Sequence, residues 1–199
     1  MAAAETERVR SFIAVDLEAP VLAALGRVLR EFVGIKCDVR WVRVEGVHVT
    51  LKFLGWVEAP RLAQVREALG AATEGQPALH AQVHGLGAFP SLRRARVLWV
   101  GVDAPGLAGL AARVDAAMTR LGFEAEARGF TAHVTVGRVN GRRGWSHVEE
   151  VFKTHLTDDF GESGVKAVTI YRSTLRPDGA VYTPLWTIPL GRHKEVALA

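Results

Sequence analysis

The chain has 199 residues, 49% hydrophobic and 23% charged, the balance of a globular protein that buries a core without a disulfide framework or structural metal. Twenty-five Lys and Arg against 21 Asp and Glu leave a formal charge of +4, which leans toward phosphate-bearing partners. The single cysteine, Cys37, excludes an internal disulfide and a thiolate zinc centre and fits a reducing, cytoplasmic home. No signal-peptide core and no run of about 20 apolar residues is present, so neither secretion nor a membrane span is expected.

Residues 8–16 (RVRSFIAVD) read as a buried strand, and Pro20 then suits a first helical turn. Val21, Leu25, Val28, Leu29 and Phe32 continue at helical spacing until Gly34, the expected C-terminal cap. Residues 38–42 and 47–54 read as strands separated by a turn at Glu45-Gly46, and Pro60 opens a helix carrying Leu62, Val65 and Leu69. Two more strands are expected at 79–86 and 96–102. A third helix places Leu107, Leu110, Val114, Met118 and Leu121 on one stripe, with Gly122 past its end. A strand at 130–139 follows, then a helix at 146–156 whose Ser146 and Glu149 have capping-box spacing. Strands at 165–173 and 181–190, joined by the turn Arg176-Pro-Asp-Gly179, finish the fold before a tail expected to fray from Arg192. This irregular alternation with hairpin-length links predicts α+β with mixed sheets, not a doubly wound nucleotide fold, in one domain over 1–199.

One pattern occurs twice, His48-Val49-Thr50-Leu51 and His133-Val134-Thr135-Val136. Strand side chains alternate between faces. His48 and Thr50 therefore share one face while Val47, Val49, Leu51 and Phe53 take the other, and His133 and Thr135 are set against Val134 and Val136 in the same way. A single such match is ordinary. Two with matched parity, in opposite halves of the chain, predict a pseudo-twofold pair of polar faces on one groove. Two imidazoles suit phosphoester chemistry, because near neutral pH one donates a proton while the other accepts one. Threonine hydroxyls would hold the non-bridging oxygens, and positioned donors stabilise the charge on phosphorus without a metal. The residues themselves leave open which histidine is the acid.

With RSFIAVDLEAP, WVRVEGVHVTLKFLG, GLGAFPSLRRARVLWVGV, RGFTAHVTVGR and LRPDGAVYTPL in this order, the chain resembles the 2H phosphoesterase superfamily, and within it the RNA 2′,3′-cyclic phosphodiesterases, also called 2′,5′ RNA ligases. The resemblance implies a bilobal pseudo-twofold α+β fold, two mixed or antiparallel sheets lining a central groove with helices outside. It implies metal- and cofactor-free hydrolysis of an RNA terminal 2′,3′-cyclic phosphate to a 2′-phosphate by a monomer. His48 would be the proton donor to O3′ and His133 the acceptor from water, with Thr50, Thr135 and Arg138 binding substrate. Arg138 faces away from His133 in a regular strand, so its role needs a bulge near Gly137. Ala132 stands where the family commonly has proline.

Three rivals remain. The same groups serve a 2′,5′ ligase, a protein that binds RNA ends without turnover, or a phosphodiesterase of small cyclic nucleotides or ADP-ribose. Arg93, Arg94 and Arg96, and Arg142 and Arg143 near Trp145, are candidates for phosphate and base contacts. Lys52 shares strand parity with His48 and would extend the phosphate site. Trp41, Trp56, Trp99 and Trp186 are expected in the core or lobe interface. His80 and His84 read as surface residues and Ser163 as a turn residue. No Walker-type motif is present, which disfavours an ATP-dependent ligase.

Overall fold

A computed structural model describes residues 7–177 and 179–191. Those residues form β1 (Arg8–Asp16), α1 (Ala19–Glu31), β2 (Val39–Trp41), β3 (His48–Glu58), α2 (Arg61–Thr73), β4 (Leu79–Phe89), β5 (Val97–Asp103), α3 (Leu107–Arg120), β6 (His133–Val139), α4 (Trp145–Thr154), β7 (Asp159–Val165), β8 (Ala167–Arg176) and β9 (Gly179–Pro189). The expected fraying from Arg192 lies outside the described residues, as does Asp178 of the last turn. Among the described residues no helix is long and apolar enough to cross a membrane.

Every strand pairing is antiparallel, in the order β7-β4-β5-β6-β3-β1-β8-β9 with β2 alongside β6. The two expected sheets are the halves of this one curled sheet. They join through a single residue pair, Val49 with Val134, the central residues of the two repeated motifs. The run β1-α1-β3-α2 on one side is repeated as β5-α3-β6-α4 on the other, which is the pseudo-twofold relation anticipated from the motifs.

Val15, Val49, Val134 and Val100 form a continuous row across the joint, each at most 1% exposed. Val21 and Leu25 of α1, Leu62, Val65 and Leu69 of α2, and Leu107, Leu110, Val114 and Met118 of α3 belong to the same core. Each large aliphatic side chain buried in this way contributes about 1.5–3 kcal/mol. The core therefore lies on one face of the joint, and the histidines lie on the other.

Several local expectations are corrected. Gly34 does not adopt the left-handed conformation of a glycine cap; α1 ends earlier, capped at Phe32, whose φ of −86° is right-handed. The capping box at Ser146 is absent, because α4 starts at Trp145 after Gly144, with φ +68° and no side-chain cap. A Cβ on Gly144 would lie 2.3 Å from the Lys36 carbonyl oxygen, so close backbone approach decides that helix start. The Gly-rich 159–165 stretch is a strand rather than a turn: Ser163 pairs with Ala81, is 1% exposed and accepts a hydrogen bond from the Glu18 N–H. Long-range pairing outweighs its weak strand propensity.

Two bulges occupy equivalent places in the repeat. On β3 the register passes from Ala14 with Thr50 to Ile13 with Lys52, leaving Leu51 as the extra residue. On β6 it passes from Trp99 with Thr135 to Leu98 with Gly137, leaving Val136 extra. Each bulge reverses side-chain parity beyond it. Lys52 is consequently not on the histidine face. It is buried on the helix side, its Nζ 2.5 Å from Asp115 Oδ1 on α3 and 2.5 Å from the Glu124 carbonyl. Phe53, expected on the apolar face, is turned out onto the histidine face.

The hydrogen bond and charge of Lys52 hold the Asp115 carboxyl below its usual range. Asp115→Ala strands a buried cation, so urea unfolding is expected to show a loss of about 3 kcal/mol. Lys52→Met removes the cation itself and is expected to cost less than half as much. Equal costs would show that the pairing, and not the buried charge, dominates.

Candidate active site

The joint fixes the site. Because Val49 and Val134 sit opposite each other with their side chains in the core, His48, Thr50, His133 and Thr135 all emerge on the other face, where they are half-buried or more open. The same register sets His48 across from Thr135 and Thr50 across from His133. The two histidines then lie on a diagonal, which in regular antiparallel geometry spans about 7–8 Å between Cα atoms.

Both rings are held in the same way. His48 Nδ1 lies 2.8 Å from the Gly46 carbonyl oxygen, and His133 Nδ1 lies 2.8 Å from the Thr131 carbonyl oxygen. A carbonyl only accepts, so each Nδ1 carries a proton and donates it, and each Nε2 is left for chemistry. In the neutral ring Nε2 is a base; in the charged ring it is an acid. Each anchor is the carbonyl two residues before its histidine.

The surroundings of the rings differ. His48 stacks on Phe12 with centroids 4.6 Å apart and meets the edge of Tyr182 at 5.0 Å. Burial holds its pKa below the usual 6.5, against the opposing pull of the Gly46 hydrogen bond and the Asp16 charge. Asp16 is the strand neighbour of His48 and accepts a 2.7 Å hydrogen bond from the Tyr171 hydroxyl. Burial, together with Asp16, keeps that tyrosine protonated. His133 has Gly101 in the equivalent position, and its ring lies near Phe89 and Trp99. A Cβ on Gly87 would meet the Trp99 ring at 2.1 Å, so glycine is what lets that indole lie across β4, with its plane inclined 64° to the His133 ring.

The bulge at Val136 meets the geometric condition for Arg138. It falls one residue before Gly137 and turns Arg138 onto the histidine face, exposed, opposite the equally exposed Arg40 of β2. Arg93, Arg94 and Arg96 are exposed, with no ion-pair partner among the described residues. The second arginine cluster is structural. Trp145 is buried under the Arg142 guanidinium, 5.0 Å from its ring centre, and Arg143 pairs with Asp38 at 2.8 Å.

Trp41 packs against Phe32 and Trp186 lies under Arg66, whereas Trp56 is exposed, contrary to expectation. His80 and His84 are exposed on β4, and no group of three metal-ligating side chains occurs among the described residues. Two shallow depressions elsewhere, under α1 and between α2 and β9, contain no histidine. Asp16, Tyr171, Phe12 and Tyr182 escape a motif reading, because only strand pairing brings them to His48.

Histidine NMR checks this arrangement. Long-range nitrogen–proton correlations are expected to show Nδ1–H and a bare Nε2 in both neutral rings, with His48 titrating below 6.5. An Nε2–H tautomer in either ring would contradict the carbonyl anchors.

Residues 15–99 match the family described as LigT like Phosphoesterase. A protein of Archaeoglobus fulgidus named RNA 2′,3′-cyclic phosphodiesterase is 36% identical over 177 residues, covering 88% of this chain and 97% of that protein. One of the same name from Methanothermobacter thermautotrophicus is 31% identical over 179 residues, covering 89% and 97%. A crystal structure of a Thermus thermophilus protein superposes with a TM-score of 0.78 at 26% identity, covering 92% of this chain and all of that one. The repeated motifs, the pseudo-twofold sheet and these relatives agree, and the chain belongs to the LigT-like phosphoesterases of the 2H superfamily.

Proposed function

We propose that this protein hydrolyses the 2′,3′-cyclic phosphate at the end of an RNA to a 2′-phosphate, without a metal or other cofactor. The observation that carries this reading is the pair of imidazoles presented on one face by the Val49–Val134 joint, each with Nδ1 tied to a carbonyl. Relatives bearing the name RNA 2′,3′-cyclic phosphodiesterase, at 30–36% identity over most of the chain, support the same substrate. The single cysteine accords with work in the cytoplasm.

In this mechanism the cyclic phosphate lies between the rings. His133 Nε2 takes a proton from water as the water oxygen bonds to phosphorus. The P–O3′ bond breaks in line, and His48 Nε2–H gives its proton to O3′, leaving a 2′-phosphate monoester and a free 3′-hydroxyl. The hydroxyls of Thr50 and Thr135 donate to the non-bridging oxygens as charge builds on them. Arg138 adds a guanidinium toward the phosphate.

The asymmetry between the rings favours His48 as the donor. Its neighbour Asp16 is a counter-ion for the charged ring, while the place beside His133 holds Gly101. Burial lowers the His48 pKa, which makes the imidazolium a stronger acid and reduces the fraction protonated near neutrality.

Turnover of a cyclic-phosphate oligoribonucleotide in EDTA, with the product identified, tests the reading. His48→Ala and His133→Ala are each expected to lower the rate by ~10²-fold or more; a near-normal rate in either sinks the assignment. With His48 as acid, kcat/KM falls as pH rises through a pKa below 6.5. Asp16→Asn removes a pull that raises this pKa, so the falling limb moves to lower pH. If His48 is the base instead, the same substitution extends activity further into acid.

A further inference from the structure

The pseudo-twofold axis through Val49 and Val134 gives every residue beyond one bulge a counterpart beyond the other. Leu51 corresponds to Val136, buried Lys52 to buried Gly137, and Phe53 to Arg138. The histidine face thus ends in a guanidinium on one side and a phenyl ring on the other. Phe53 is 53% exposed. Two ring contacts separate it from the site, since it touches Phe12 at 5.9 Å and Phe12 stacks on His48 at 4.6 Å.

The aromatic surface continues. A second register shift leaves Leu54 extra, Gly55 takes φ +69°, and Trp56 pairs with Arg10 on the same face as Phe53. Trp56 is 57% exposed, and these two are the aromatics among the large hydrophobic side chains that the described residues leave in water. Arg10 beneath is held by the Ser173 hydroxyl at 2.7 Å. Two adjacent aromatic faces bared beside a reaction centre are the composition of a stacking platform.

We infer that Phe53, with Trp56 beyond it, is a stacking shelf for the last two nucleobases of the RNA end. The inference rests on the function proposed above. With His48 giving its proton to O3′, the nucleoside bearing the cyclic phosphate lies on the His48 side, and its base projects past the buried Phe12 to the exposed ring of Phe53. The preceding base reaches Trp56. Every base has a π face, so the shelf holds RNA ends with little base preference.

The test compares binding of a 2′-phosphate oligonucleotide with that of the same molecule lacking its terminal base, alongside kcat and KM on the cyclic end. Phe53→Ala is expected to weaken binding of the base-bearing oligonucleotide about tenfold, within the range for one stacked base, and to leave the abasic one unchanged. The loss appears in KM, and Phe53→Trp restores it. Trp56→Ala weakens binding of a dinucleotide and not of a mononucleotide. Equal losses with and without the base, no loss, or no binding by the wild type overturns the shelf, and the exposed rings are then a protein contact. If the wild type binds the base-bearing end more tightly than the abasic one yet does not hydrolyse the cyclic end, the proposed reaction falls and the shelf stands.

Discussion

A single antiparallel residue pair, Val49 with Val134, determines what the rest of the molecule can do. It is where β3 and β6 share a register, and it falls at the middle of each repeated motif. Turning two valines into the core obliges the flanking His and Thr of both strands to emerge together on the opposite side. The row Val15, Val49, Val134 and Val100 sustains the joint from behind, where it packs into a core shared with α1, α2 and α3. Site geometry and core packing are thus two faces of one register, and a one-residue slip would exchange them.

The symmetry generates two similar tools, and the departures from it give them different work. Equivalent carbonyls orient both imidazoles, but only His48 has a carboxylate alongside its aromatic neighbours. Burial and the Asp16 charge pull its proton affinity in opposite directions, and burial prevails. The equivalent bulges similarly present different chemistry, an arginine on one side and a phenylalanine on the other. One duplicated backbone therefore supports a polar, directional site.

Parity counting makes the heart of this site legible, because HVT within a strand has one reading of which residues share a face. It ceases to hold at the bulges. An extra residue such as Leu51 leaves no mark in a period-two pattern, so counting puts Lys52 on the wrong face and Phe53 in the core. The same device at Val136 is foreseeable only because Arg138 demands it. β7 is hidden for a different reason: Gly161 and Gly164 dilute its strand character, and its partners β4 and Glu18 are distant in the chain. Asp16 reaches His48 through pairing alone, which no spacing announces. Helix ends decided by close approach, as at Gly144 against Lys36, are equally beyond local reading.

The order of the strands along the chain decides when the surroundings of His48 are complete. β1, which precedes both histidine motifs, is flanked by β3 and by β8, and β8 and β9 follow both motifs in the chain. Tyr171, whose hydroxyl holds Asp16, and Tyr182 pack about His48 and come from those later strands. His48 is synthesised after Phe12 and Asp16 but well before Tyr171 and Tyr182. A nascent chain carrying the two complete motifs thus still lacks the two tyrosines that enclose one of them, until β8 and β9 have paired beside β1.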